Sequence, residues 1–379
     1  MMRGTRIHPN FYDKFTCIAN RCPITCCQEW KIAVDADTNR RWKKLMPPET
    51  VVEQKKNLSA YTGKKDGARV ILLDENHRCP FLAEDKLCRL VSAYGDQVLS
   101  ETCTVFPREV HQFENHEEAT LMPCCPAVID LWSEQERVEF PEIPNDILFK
   151  IRGNMIRLLQ QENKLIDEAL LQCFYILLEL HKGTPDDATV TEYFSRETLE
   201  QLGQAIAEVE LPTLDTMEEC NELLQDLAVN YRKEGLYQPY LDPVITLAEQ
   251  ISEEYDQLEM AEKWAAFQKQ LSQYEPLFRS FMANEFFSDL VLPDGSLEQM
   301  VVQLQWIAME YTSIRQSLFL NWMQEGCGAL TYETVRDYIV VITRMTGYEE
   351  EDIVEYLENS FESLIWDWGY FALIVGNTA

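Results

Sequence analysis

From about residue 147 onward, apolar positions recur at spacings of three and four. Leu165, Ala169, Cys173, Ile176 and Leu180 form one such stripe. Met217, Cys220, Leu224, Leu227 and Tyr231 form a second, and Val301, Leu304, Ala308, Tyr311, Ile314 and Leu318 a third. This is the period of helices that turn one face to a core. No stretch beyond residue 146 alternates as a half-buried strand would. The pattern predicts an all-helical region of roughly seven to ten helices. Residues 139–146, with Pro141 and Pro144 among acidic side chains, read as the linker before it.

The first part of the chain carries shorter signals. Ala36–Met46 reads as a basic helix stopped by Pro47-Pro48, and Val70–Leu73 as a strand. Cys79–Leu82 and Leu87–Leu90 suggest a hairpin around Glu84-Asp85. Arg108–Phe113 and Glu117–Met122 suggest another, turning at residues 114–116. Cysteines sit at or near the ends of both, as they do where a metal holds a small loop-rich module together. The expected architecture is mainly α: an N-terminal cysteine-rich α+β metal-binding module, residues 1–138, packed on a C-terminal all-helical domain, residues 139–379. No internal repeat or low-complexity tract interrupts it.

Composition narrows the function. The 379 residues are 46% hydrophobic, enough for two domains with cores of their own. No apolar run approaches the roughly 18 residues a membrane-spanning helix needs, and the first ten residues lack the apolar stretch of a secretory signal. The net charge of −31 argues against a nucleic-acid backbone and against an anionic membrane surface. Residues 1–125 carry 18 Lys and Arg against 17 Asp and Glu, which leaves a net −32 on the remainder. That acidity serves solubility, or it steers a basic protein toward the helices.

Cysteine divides the chain at the same place. Nine of the twelve precede residue 126: Cys17, Cys22, Cys26, Cys27, Cys79, Cys88, Cys103, Cys124 and Cys125. Without a signal sequence, they point to thiolate ligands in a reducing cytoplasm and not to disulfides. Thiolates select zinc, Cu(I) or iron–sulfur centres. Nine exceed the four that one centre takes, so either one centre has spare thiols beside it or there are two. His77, His111 and His116 read as loop residues and not as ligands. Cys173 and Cys220 lie on apolar stripes and read as core, and Cys327, between Gly326 and Gly328, as a helix end. Several chemistries are excluded by their signatures. A Cys-x3-Cys-x2-Cys run begun at Cys22 would need cysteine at Glu29, and no P-loop, dinucleotide-binding glycine loop or Gly-x-Ser-x-Gly elbow occurs.

The segment from Phe15 to Asp35, with Cys17, Cys22, Cys26-Cys27 and Trp30, resembles the opening of the flagellin lysine-N-methylase (FliB) family. So do Cys79-Pro-Phe-Leu82, Cys88 and Cys103-Thr-Val-Phe-Pro-Arg108. Cys125-Pro126 is similar to that family's Ser-Cys-Pro, with Cys124 in place of the serine. Further on, Phe281–Phe287 and Tyr311-x3-Arg315 resemble its helical half. The basic or histidine-bearing segment of the family's end has no counterpart near Tyr348–Asp352.

The resemblance implies methyl transfer from S-adenosylmethionine to lysines of a protein substrate, flagellin, with a [4Fe–4S] cluster; zinc is the alternative metal. It ranks Cys17, Cys22, Cys26, Cys27, Cys79, Cys88, Cys103 and Cys125 as ligands and Cys124 last. Beside the cysteines, Tyr12, Phe15 and Trp30 could wall a cationic sulfonium or pack the module. Asp35 could be a base or an N-cap, and Arg108 a carboxylate partner of the donor or of a nearby acid. The competing readings are a non-catalytic zinc- or iron-binding scaffold or chaperone and an iron–sulfur redox protein. All place the chain in the cytoplasm, with no nucleic acid bound and no membrane insertion.

Overall fold

A computed structural model describes residues 5–65, 67–135, 137–141, 146–251, 255–347, 353, 355–357 and 365–376. Residues 142–145 of the expected linker and the stretch 348–352, where the family pattern departs, lie outside the described residues. By internal contacts the chain divides into two units. One comprises Lys14–Glu109 and Leu121–Val128; the other comprises Met1–Asp13, Val110–Thr120 and Ile129–Ala379.

The first unit is the cysteine-rich one. Its helix α1, Ala36–Trp42, begins where the Asp35 side chain accepts the Thr38 N–H at 2.7 Å. It stops earlier than the expected Met46, because the chain must leave helical geometry ahead of Pro47-Pro48. Strands β2, Thr62–Lys65, and β3, Ala68–Ile71, pair antiparallel with Thr62 opposite Ile71. The expected strand is thus two residues early, and its partner Thr-Gly-Lys-Lys carries no apolar alternation to announce it. The expected hairpin around Glu84-Asp85 is reduced to a single bridge, Leu82 with Cys88. The Phe81 carbonyl accepts the Arg89 N–H at 2.8 Å and the Leu87 carbonyl accepts the Ala83 N–H at 2.9 Å, the two bonds of that bridge; helix α2, Arg89–Tyr94, follows at once and ends at Gly95 with φ +77°. Helix α3, Glu101–Val105, is capped by Ser100. Trp42, Tyr61 and Phe81 meet edge to face at the middle of this unit, and the Trp42 indole N–H is satisfied by the Val98 carbonyl at 2.8 Å.

Strand β1, Thr5–Ile7, lies parallel to β5, His116–Leu121, in a sheet ordered β1-β5-β4 with β4 at Arg108–Gln112. The second expected hairpin is therefore present; the parallel strand beside it was not foreseen. Helix α4, Pro126–Ser133, follows. Beyond residue 146 the described residues form eleven α-helices and no strand, one more helix than the upper end of the expected range. They are α5 (Ile147–Leu159), α6 (Ile166–His181), α7 (Asp187–Tyr193), α8 (Arg196–Ala207), α9 (Thr213–Glu234), α10 (Gln238–Ala248), α11 (Gln257–Leu271), α12 (Glu275–Asp289), α13 (Leu297–Gln324), α14 (Tyr332–Met345) and α15 (Trp368–Val375). Short ones such as α7 lack a full apolar stripe, which is why the pattern passes over them.

The helical core is built around α13. It packs on α6, α9, α10, α12, α14 and α15, and 22 of its 28 residues are buried. A helix surrounded on all sides must be apolar all round or satisfy its polar groups internally, and α13 does both. Arg315 donates to Asp167 at 2.6 Å and to the Val375 carbonyl at 2.9 Å, while the Tyr311 hydroxyl donates to the other Asp167 oxygen at 3.0 Å. The Tyr311-x3-Arg315 pattern thus ties α13 to α6 and to the C-terminal end of α15, where a cation suits the exposed carbonyls. Cys173 and Cys220 are buried in this core, and Cys327 follows the end of α13 with φ +60°.

Candidate metal centre

All nine cysteines of the N-terminal cluster fall in the same unit, although Cys124 and Cys125 are more than twenty residues beyond Cys103. None is in a disulfide. Their placement follows from local structure. The Cys79 N–H donates to the Cys27 carbonyl at 2.8 Å, joining the two Cys-rich segments by backbone. The Leu82–Cys88 bridge turns Cys88 back toward Cys79, and the Ser100 cap places Cys103 in the first turn of α3, its N–H on Ser100 Oγ at 3.3 Å. Cys79 belongs to the hydrophobic core of the unit, and Cys27, Cys88 and Cys103 pack against it. Cys125 sits just before α4, with its carbonyl accepting the Val128 N–H at 2.9 Å. Cys22 donates its thiol to the Ile24 carbonyl at 3.2 Å. Cys17 is exposed, and its sulfur accepts the Ala19 N–H at 3.4 Å.

Burial and neighbouring thiols oppose ionisation of Cys27, Cys79, Cys103 and Cys125. The Cys27 thiol is pushed up by its hydrogen bond with Cys26 and by burial. Burial raises Cys79 as well. It lifts Cys103 to about 11, against a hydrogen bond with Ser100, and Cys125 to about 12, against N–H bonds from Ala127 and Val128. A thiolate is the form that ligates a metal. Several neutral thiols crowded in one place become thiolates together only when a cation compensates them. The donor set therefore fits a thiolate-bound metal. Among the described residues, no three of these sulfurs lie within 4.8 Å of one another. Four ligands on one zinc stand about 3.8 Å apart, given zinc–sulfur bonds of about 2.3 Å.

The other candidate residues have definite surroundings. Trp30 stands edge to face with Phe106 at 5.4 Å, and the Arg108 guanidinium lies 5.4 Å over the Phe15 ring. Asp35 is occupied on both oxygens, accepting from Thr38 N at 2.7 Å and Glu101 N at 3.0 Å. Burial alone would raise its carboxyl, but these backbone bonds outweigh it and hold Asp35 at about 2. Tyr12 is buried in the helical unit, its ring 5.0 Å from that of His8. His77 occupies a turn with φ +55°; His111 lies 4.0 Å from Asp289, and His116 is 3.3 Å from Glu118. Two contributors escaped the sequence reading. Ser100 caps the helix that carries Cys103, a Ser-x-x pattern that could have been seen. Lys86 donates to the Cys22 carbonyl at 3.0 Å, which only the folded turn reveals.

A thiol-rich α+β unit and an acidic helical unit built round one buried polar helix define a cysteine-cluster protein of two parts. The model of the FliB lysine N-methylase C-terminal domain matches residues 152–374, more than half of the chain. The chain belongs to the FliB lysine N-methylase family. It is 30% identical over 135 residues to the flagellar biosynthetic protein FliU of Salmonella muenchen, a stretch covering 34% of this chain and 76% of that protein. It is also 30% identical over 135 residues to the lysine-N-methylases of Salmonella typhimurium and Salmonella choleraesuis. Those matches cover 34% of this chain and 32% of each relative, so the matched stretch spans about a third of their length. No solved structure matches.

Proposed function

We propose that this protein transfers a methyl group from S-adenosylmethionine to lysine side chains of a protein substrate, flagellin, and that its cysteines hold a [4Fe–4S] cluster. The family membership carries the methylation, since two of the similar proteins are named lysine-N-methylases. The name of the third supports a flagellar substrate. The crowded thiols support the cluster.

In the reaction, the lone pair of a neutral lysine amine attacks the sulfonium methyl carbon. The carbon–sulfur bond breaks, S-adenosylhomocysteine leaves, and the nitrogen releases a proton. Lysine ordinarily titrates near 10.4, so the site must desolvate the amine or take its proton. Aligning the two reactants contributes several kcal/mol. When bound, the cluster would supply a redox-active iron–sulfur group; Cys27, Cys79, Cys88 and Cys103 are the residues that would hold it. Trp30 and Phe106 would pack beside it.

The test is incubation of the full chain, reconstituted anaerobically, with methyl-labelled S-adenosylmethionine and flagellin. Label on flagellin lysines, located by peptide mass spectrometry, is expected. Metal-loaded protein that binds no S-adenosylmethionine would leave the scaffold or redox reading in its place.

A further inference from the structure

Helices α9 and α10 are joined at Gly235, whose φ of +72° lets the chain turn back, and they pack on each other. Between them lies an open cleft of about 450 Å³. Small-molecule sites run from about 300 to about 1,000 Å³. Part of the lining is apolar: Val229 of α9, which is 39% exposed, and the buried Ile245 of α10. The rest is charged. Arg232 and Lys233 come from the last turn of α9, and Asp242 and Glu249 from α10 and its end. Spacings of three, four and seven residues keep each set on one side of its helix.

These charges do not cancel in place. Arg232 is shared, 3.2 Å from Glu249 and 3.7 Å from Asp242. Two carboxylates thus divide one guanidinium, and together they are one positive charge short. Lys233 is exposed and forms no ion pair among the described residues. The cleft therefore presents one uncompensated negative charge and one uncompensated positive charge beside an apolar surface. The last turn of a helix favours cations, which accounts for two basic side chains there. It does not account for the exposed valine that shares their cleft.

We infer that this cleft binds a zwitterionic α-amino acid with an apolar or aromatic body. Its carboxylate would meet Lys233, its ammonium would meet Asp242 and Glu249, and its body would lie on Val229 and Ile245. The choice of ligand rests on the proposed function: S-adenosylmethionine carries all three features. Its sulfonium adds a cation, which the net −32 of residues 126–379 favours. One carbon of the ligand bears both the ammonium and the carboxylate. A ligand without the carboxylate should therefore lose the contact with Lys233 and keep the others.

The experiment is equilibrium dialysis of the anaerobically reconstituted full chain against S-adenosylmethionine and against its decarboxylated form, which keeps the ammonium, the sulfonium and the adenosine. Wild type is expected to bind the complete donor about fivefold more tightly, the size of a partly exposed ion pair. Lys233→Met should remove that preference and leave the affinity for the decarboxylated form unchanged, a pattern that loss of the fold does not give. Val229→Trp fills the cleft from an exposed position and should abolish binding of both ligands, with helical circular dichroism unchanged. A preference that survives in Lys233→Met, or wild-type binding in Val229→Trp, overturns this inference and leaves the proposed function standing, with the donor held elsewhere. Wild type that binds neither form overturns the proposed function and this assignment together.

Discussion

The backbone N–H of Cys79 donates to the carbonyl of Cys27 at 2.8 Å, across a separation of 52 positions. This bond and the shared core hold the thiols near one another before any metal binds. Preorganisation of that kind has a cost: the thiols must stay neutral while no cation is present. Cys103 and Cys125 stand at about 11 and about 12, above the ordinary 9.0. The unfolded chain therefore loses these protons first as pH rises. Metal-free protein should lose stability from about pH 9 to about pH 12, whereas loaded protein, already ionised, should not. Urea midpoints at several pH values decide it; parallel curves for the two forms would contradict the expectation.

Asp35 should behave as a cap and not as a base. Asp35→Ala is expected to cost about 1 kcal/mol of stability, since two N–H groups lose their acceptor. Asp35→Asn should cost less and leave turnover intact. Its folded carboxyl lies at about 2, below the ordinary 3.8, so its contribution is complete above about pH 4 and fades as pH falls through about 2. Loss of methylation in a fully folded Asp35→Asn protein would reverse this assignment.

The pair formed by Asp167 and Arg315 is buried and reinforced by Tyr311. Removing one partner strands a charge, so Asp167→Asn or Arg315→Met should each destabilise the helical unit by about 3–5 kcal/mol. Tyr311→Phe removes one hydrogen bond to a charged acceptor and should cost about 1.5–3 kcal/mol. Chemical denaturation followed by helical circular dichroism measures all three. Near-wild-type stability of Arg315→Met would mean that the core repacks around the lost cation.

Steering by the acidic helices should appear in kinetics, if flagellin or another protein is the substrate. Exposed charges act over about 8 Å at physiological salt. The apparent KM for a protein should rise with salt while kcat stays level, and a short peptide with uncharged flanks should respond less. Flat protein kinetics across the salt range would assign the acidity to solubility alone.

Much of this protein is legible in one dimension. The three- and four-residue stripes announce α6, α9 and α13, because a helix that buries one face must repeat its apolar positions at that interval. The cysteines announce a thiol-rich unit by number and spacing, and all nine of the N-terminal cluster fall within one unit. Proline and the Asp35 cap mark the ends of α1.

Other features depend on contacts that no local pattern carries. β2 is a strand only because β3 lies beside it, and the arm from Leu87 pairs through a single bridge at Cys88 before the chain turns into α2 at Arg89. The interleaving of the two units along the chain leaves no trace in composition, for a strand such as β5 is the same local structure whichever core its ends serve. Which thiols are neighbours is likewise a tertiary decision. Cys22 and Cys125 are about a hundred residues apart in sequence, and only the return of the chain after the β4–β5 hairpin puts them in one unit. Sequence spacing fixes how far a ligand can reach along the chain, but the direction of a side chain depends on the turn that holds it and the core it packs against.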